Sequence, residues 1–359
     1  MNIASLPMKT PYPTSGREKM VEAKTILVTG GCGFIGSNFI HYMLEKYPSY
    51  RIINLDKLTY CGNLDNLCEV VQQPNLAFVK GDIADRRLVM TILHDEPVDC
   101  IVNFAAESHV DRSIEDPDLF LRTNVLGTQI LLEGARAAAV PLFIQISTDE
   151  VYGSLGATGL FTETNPLNPN SPYAASKAAA DLIVRAYTKT YGLSAIITRC
   201  SNNYGPYQFP EKLIPLMVSN ALEDHDLPIY GDGLNVRDWI YVADHCEAID
   251  TILHRGKSGE IYNIGGASER TNVEVVKTIL EIVGKPESLI RFVTDRPGHD
   301  LRYAMDFSKL RKELGWQPQV AFEEGIRKTV FWYREHPDWW RRIKTGEYLE
   351  YYERMYKNR

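Results

Sequence analysis

Short apolar runs rich in β-branched residues recur through the first two hundred positions, separated by segments with helical spacing. The run "KTILVTG" is followed by "FIGSNFIHYMLEKY", which has the periodicity of a helix, and then by "RIINLD"; "AFVKGD", "CIVNFAA" and "PLFIQIS" continue the series. Strands that are apolar throughout, rather than on alternate positions, are covered on both faces, and intervening helices supply the cover. The pattern therefore predicts an α/β fold, a Rossmann-type doubly wound parallel sheet.

Beyond about Cys200 the rhythm breaks. Loops rich in Pro, Gly and Asn ("SNNYGPYQFPEK", "PIYGDGLNVRDW", "TDRPGHDLRY") separate helices such as "TNVEVVKTILEIVG". This predicts a smaller, interleaved α/β C-terminal domain. The strand-like "EIYNIGG" at 260–266 returns to the first domain, so the expected division is 24–200 plus about 236–266 against about 201–235 plus 267–359. The aromatic terminus "FWYREHPDWWRRIKTGEYLEYYERMY" reads as amphipathic helix packed on the body. Residues 1–23, polar and proline-bearing, read as a disordered leader, with Met20 a second possible start.

Composition narrows the function. With 359 residues, 44% hydrophobic and 24% charged, the chain can bury a core without covalent staples. A net charge of −7 and a pI near 5.7 argue against a general nucleic-acid or membrane-surface binder, so anion binding must be local. No stretch approaches the roughly 20 apolar residues of a membrane span, and the first 23 lack the apolar centre of a signal peptide; the expectation is a cytoplasmic protein. Six cysteines without CxxC pairs or metal-ligand spacing predict reduced thiols and no metal.

Local anion binding has an obvious candidate. Gly30, Gly33 and Gly36 form GxxGxxG after a predicted strand and at the opening of a predicted helix, where backbone N–H groups can meet a pyrophosphate. A plain glycine turn is the alternative. Asp56 closes the second strand, 20 positions after Gly36, where a carboxylate accepts ribose hydroxyls and repels a 2′-phosphate. That selects NAD over NADP, with Lys57 the contrary feature, and makes the first domain the NAD-binding one. Asp82, ending the third strand, either meets the adenine or caps a helix.

At the carboxyl ends of later strands, "NFAAES" and "ISTDE" deliver polar residues to the same side. Tyr173 and Lys177, four apart in "SPYAASKAAADLIVRAY", share a helical face. An ammonium beside a phenol, aided by a cationic nicotinamide, is expected to lower its pKa from about 10 and make Tyr173 a base. YxxxK by itself is common on surface helices. In this order and spacing, the set resembles the extended short-chain dehydrogenase/reductase superfamily, whose Ser/Thr, Tyr and Lys oxidise sugar hydroxyls. Thr148 fills the Ser/Thr position, with Ser147 beside it.

That superfamily includes epimerases, decarboxylases, reductases and dehydratases, and "QISTDEVYG" discriminates among them. Oxidation at C4 needs only Thr, Tyr, Lys and NAD; adjacent acids add a base for the acidified C5 hydrogen and a proton donor for a departing C6 hydroxyl. Neighbours on a strand face opposite ways, so the backbone must leave the extended conformation by Asp149 if both acids are to meet one sugar. Otherwise the pair merely starts a turn and caps the next segment.

The motifs "STDEVYG", "AAESHVDRSI", "SPYAASKA", "NNYGPYQFPEKLIPL", "PIYGDG", "RDWIYV" and "DRPGHDLRY" occur in order, and from Lys24 onward the chain resembles the dTDP-glucose 4,6-dehydratases of deoxysugar (dTDP-rhamnose type) biosynthesis. The resemblance implies Asp149 as proton donor, Glu150 as acceptor at C5, Tyr173 as acceptor at the C4 hydroxyl, Thr148 on the C4 oxygen and Lys177 tuning Tyr173. It implies NAD contacts from Gly30, Gly33, Phe34, Ile35, Gly36, Asp56, Lys57, Leu58, Thr59, Asp82, Ile83, Ala105, Ala106, Ser108, Thr123, Tyr173, Lys177 and Asn203. The implied dTDP-glucose contacts are Ser108, Thr148, Asn202, Lys212, Leu213, Pro228, Ile229, Tyr230, Arg237, Asn272, Asp295, Arg296, Pro297, Gly298 and His299. A homodimer through a four-helix bundle is implied as well, with "NVLGTQILLEGARAAA" and "AASKAAADLIVRAYTKTY" as the matching helices.

Part of this stands without the resemblance. A nucleoside diphosphate needs cations, and Lys212, Arg237 and Arg296 lie in irregular second-domain loops, although each taken singly reads as a surface charge. His109 and His299 lack metal-like partners and read as structural or substrate-loop residues. Two rivals remain open: an NAD-dependent epimerase or decarboxylase of the same fold, and a non-catalytic NAD-binding regulator, which has no use for Tyr173, Lys177 and the two acids. Preference for thymine over uracil rests on the resemblance.

Overall fold

The computed structural model describes residues 24–357; the leader 1–23, with Met20, lies outside the described residues. Among these, twelve strands form three sheets: β1 (Thr25–Thr29), β2 (Arg51–Asp56), β3 (Leu76–Lys80), β4 (Cys100–Asn103), β5 (Leu142–Thr148), β6 (Ala195–Cys200), β7 (Asn202–Tyr204), β8 (Leu227–Tyr230), β9 (Val236–Tyr241), β10 (Ile261–Ile264), β11 (Glu269–Thr271) and β12 (Ile290–Val293). The main sheet runs β10-β6-β5-β4-β1-β2-β3 with every pairing parallel. Strand order reverses between β1 and β4, which opens a crevice above their carboxyl ends, Thr29 and Asn103.

Continuous apolar strands make sense in this sheet because alternate residues feed two cores. Ile26 and Val28 pack with Phe39, Ile40 and Met43 of helix Phe34–Lys46 and Ile249 and Ile252 of helix Val242–Arg255. Leu27, between them, points the other way, to Val89, Leu131 and Val184 of the helices Arg86–Asp95, Thr128–Ala137 and Pro172–Tyr191. A one-residue slip would exchange the two sets, so register is strongly specified.

The remaining strands form two small sheets, β11-β9-β7 and β12-β8. Their core is built with helices Leu213–Leu222, Asn272–Val283 and Phe322–Glu335. The return to the first domain expected at about 236 comes later: β9 pairs with β7 and β11 in this part, and only the helix that begins at Val242 crosses back to the main sheet, where β10 pairs with β6.

The aromatic terminus is not one helix. It breaks into Phe322–Glu335, Pro337–Ile343 and Glu347–Tyr352, because Pro337 has no N–H to continue the first ladder and disfavours helical backbone at His336, whose φ/ψ is −120/51. Trp339 and Trp340 are buried at this break. All six cysteines are free.

Candidate active site

The first wall of the crevice follows from glycine chemistry. Gly30 turns with φ +70, and a Cβ there would lie 2.6 Å from Ala105 N; one at Gly36 would lie 2.3 Å from Gly30 O. Only a residue without a side chain allows this approach of loop to helix. Helix Phe34–Lys46 then starts at Gly33 with no side-chain cap and no acid in its first turn, leaving its N–H groups and dipole for an anion. These features fit the pyrophosphate of NAD.

Asp56 is buried at the end of β2, with Oδ2 accepting from Cys32 N (2.9 Å) and Oδ1 from Leu58 N (2.7 Å). Burial raises its pKa and the two N–H groups oppose the rise. The second lone pairs remain for ribose hydroxyls. Lys57, the residue that spoke for NADP, is ion-paired with Asp82 at 2.9 Å. Burial pulls Asp82 up, but the Ala84 N–H and Lys57 outweigh it and hold the carboxyl below its usual range. Asp82 is not the helix cap: Asp85 caps Arg86–Asp95, accepting from Leu88 N.

The acids stand at the end of β5. Thr148 is the last extended residue (φ/ψ −138/155), and 149–152 form one 3₁₀ turn ended by Gly153 at φ +81. In such a turn successive side chains diverge by about 120° rather than 180°, so both Asp149 and Glu150 reach the same crevice. Thr148 holds the turn, its Oγ1 accepting from Glu150 N (3.3 Å) and donating to Asp149 Oδ1 (3.1 Å).

Their electrostatics differ. Asp149 is 2% exposed, its Oδ2 has no hydrogen-bond partner among the described residues, and burial followed by the Glu150 charge raises its pKa well above normal. Burial also raises Glu150, but Arg296, Lys212 and Arg237 oppose this. Arg237 opposes the rise at both acids, whereas Arg296 and Lys212 act on Glu150, so of the two carboxyls Glu150 is the one favoured as the ion.

Tyr173 and Lys177 lie on helix Pro172–Tyr191, which Ser171 caps by accepting from Ala174 N (3.1 Å), with Pro172 in its first turn and left-handed Gly192 at its end. Lys177 Nζ donates to Ile146 O (2.6 Å). Here the structure corrects one expectation. The Tyr173 phenol is pushed well above its ordinary pKa by burial, with Glu150 and Cys200 adding to the rise and the Thr148 hydroxyl opposing it. Burial also depresses Lys177, with the nearby Asp181 opposing the fall.

The second domain forms an adjoining pocket that meets the crevice at Glu150, Asn202, Glu211 and Lys212. Lys212 donates to Ser108 O (2.7 Å), Arg237 lies 4.5 Å over the Tyr303 ring, and Arg296 is 3.9 Å from Asp111. Leu213, Pro228, Ile229, Tyr230, Asn272 and His299 also line this pocket, while Asp295, Pro297 and Gly298 do not; Asp295 instead holds His299 at 2.6 Å. Of the residues expected around NAD, Leu58 alone is off the crevice wall.

The sequence profile of the family described as GDP-mannose 4,6 dehydratase matches residues 27–329. The chain belongs to that family. It is 54% identical over 342 residues to the dTDP-glucose 4,6-dehydratase of Xanthomonas campestris pv. campestris, covering 90% of this chain and 97% of the relative. The crystal structure of a dTDP-glucose 4,6-dehydratase from Bacillus anthracis in complex with NAD aligns with TM-score 0.85 at 56% identity, over 89% of this chain and 100% of that one. A UDP-glucose 4-epimerase from Thermus thermophilus in complex with NAD reaches 0.81 at 33% identity, over 87% and 99%. The chain thus shares its scaffold with epimerases as well as dehydratases.

Several wall residues of this dehydratase-family chain went unassigned in its sequence. Glu211 is buried beside the crevice, and Asp111 and Tyr303 line the second pocket. "AAESHVDRSI" contained one of them, but nothing in strand or helix period says which of its polar residues turns inward. His109 is buried with its pKa well below normal, first through burial and then through nearby Lys212 and Arg112.

Proposed function

We propose that the chain is an NAD-dependent dTDP-glucose 4,6-dehydratase, a hydro-lyase that converts dTDP-glucose to dTDP-4-keto-6-deoxyglucose and water. The observation that carries this reading is the 149–152 turn, which brings both Asp149, its pKa raised by burial and the Glu150 charge, and Glu150 to the crevice shared with Tyr173. Bound NAD supplies the hydride acceptor for C4 and the donor for C6, so the reaction is redox-neutral.

The chain's own residues handle protons. Tyr173 takes the C4 hydroxyl proton while Thr148 supports that oxygen; Glu150 removes the C5 proton acidified by the C4 ketone; Asp149 protonates the departing C6 hydroxyl. Lys177 orients the helix end against β5 through Ile146 O. Residues 24–200 with about 242–266 serve NAD, and about 201–241 with 267–359 serve the nucleotide sugar, whose diphosphate fits Lys212, Arg237 and Arg296.

Product mass tests the reading. Purified protein given dTDP-glucose is expected to yield a product lighter by one water, and UDP-glucose run in parallel is expected to turn over more slowly. A product of unchanged mass would establish an epimerase, and loss of carbon dioxide from a uronate a decarboxylase.

The reading includes a homodimer through a four-helix bundle. Ala175, Ala179, Leu182 and Ala186 make a largely exposed stripe on helix Pro172–Tyr191, and Leu121 and Leu126 project from the helical segment before Thr128, with Leu182 54% exposed. Such a stripe suits close helix packing between copies. Sedimentation should give a dimer for the wild type and a monomer for Leu182→Asp; a Leu182→Asp dimer would move the interface elsewhere. Free cysteines and a small-molecule substrate favour a cytoplasmic enzyme of dTDP-rhamnose-type deoxysugar supply. No helix among the described residues is long and apolar enough to cross a membrane.

A further inference from the structure

The helix Glu347–Tyr352 lies outside the catalytic set, yet it is stitched to residues immediately behind the substrate pocket. The Arg112 guanidinium is sandwiched between the rings of Tyr60 (3.9 Å) and Tyr351 (4.2 Å), and its Nε donates to Glu211 Oε2 at 3.2 Å. The Tyr351 hydroxyl and His109 Nδ1 share a hydrogen bond of 3.2 Å. Tyr348 donates to Pro210 O at 2.9 Å, and Arg354 pairs with Glu115 at 2.8 Å. Tyr348 and Tyr351 are both about 95% buried.

These contacts converge on one cation. Lys212 follows Glu211 in the chain and reaches back to Ser108 O, the carbonyl preceding His109. Tyr351 therefore grips both ends of that arrangement, His109 on one side and Arg112 with Glu211 on the other. Glu211 is buried, so its carboxylate depends on the neighbouring Arg112 and Lys212 charges, and the same carboxylate opposes the fall that burial imposes on Lys212. Loss of the Tyr351 ring would open one face of Arg112 to solvent, loosen its hold on Glu211 and weaken the site of a cation facing both pockets.

We infer that the C-terminal segment is a strap behind the substrate pocket and that Tyr351 is a positioning residue for nucleoside diphosphate binding, acting through Arg112 and Glu211 on Lys212. The inference rests on the nucleotide-sugar reading above. Because the strap is built on the pocket, coupling is reciprocal: nucleotide must also hold the strap down.

Calorimetry with dTDP on the NAD-loaded full chain is the test. Tyr351→Leu is expected to weaken dTDP by about tenfold and to raise KM for dTDP-glucose similarly, with kcat within about threefold; Tyr351→Phe, which keeps the ring over Arg112, is expected to recover most of the affinity. On wild-type protein, dTDP is expected to slow tryptic cleavage after Arg354, a readout that needs no variant to fold. Unchanged dTDP affinity in Tyr351→Leu, or cleavage unaffected by dTDP, overturns the inference alone. Wild-type protein that fails to bind dTDP overturns it together with the proposed function.

Discussion

Asp149→Asn combined with Glu150→Gln is expected to leave a protein that still reduces its bound NAD on meeting dTDP-glucose but eliminates water at least 10³-fold more slowly, since each proton-transfer group contributes about 10²–10⁴. The substitutions keep the shape of both side chains and the hydrogen bond from Thr148, so the crevice survives while both proton-transfer groups are lost. Absorbance of the reduced nicotinamide and product mass, followed together, separate the two stages. Elimination at the wild-type rate would refute the assigned roles. The single variants should differ in kind: Glu150→Gln stops exchange of the C5 hydrogen with solvent, whereas Asp149→Asn permits exchange and blocks departure of the C6 hydroxyl. That division follows from the cations, three of which face Glu150.

Tyr173→Phe is expected to abolish the earlier stage, with no reduced nicotinamide formed and kcat down by about 10²–10⁴. The pH dependence has a definite sign. A base acts only when deprotonated, and burial together with the Glu150 charge holds the Tyr173 proton on, so C4 oxidation should quicken as pH rises through neutrality. Glu150→Gln removes one of the negative charges that raise the phenol and should shift that rise to lower pH. Stopped-flow measurement of nicotinamide reduction across pH checks both. A rate flat across neutrality would mean that the bound cofactor's cationic ring lowers the phenol far more than the protein raises it.

Much of this was legible in the chain. β1 through β5 were each visible as apolar runs, because strands covered on both faces need apolar residues at every position. The glycine loop, Asp56, and the Tyr173–Lys177 pair were legible because each is a local requirement: a turn without Cβ, a strand end, two positions one helical turn apart. The second domain was harder. Its small sheets depend on contacts far apart in sequence, such as β7 with β9 and β8 with β12. The break at Pro337 was readable in principle, but the aromatic periodicity on either side masked it.

Sequence by itself determined the parallel sheet, the cofactor loop and the presence of paired acids after β5, since these depend on neighbours a few residues apart. Tertiary structure alone decided what the acids are. Arg237, Arg296 and Lys212 come to Glu150 from 62 to 146 positions away and oppose the rise that burial imposes on it, while burial and the Glu150 charge raise Asp149 well above its ordinary range. The same holds for Tyr173, whose phenol is raised by burial and the nearby Glu150, and for Tyr351, whose hold on His109 spans 242 residues. Charge and burial act through space, and a linear pattern carries no record of which distant groups fold into range.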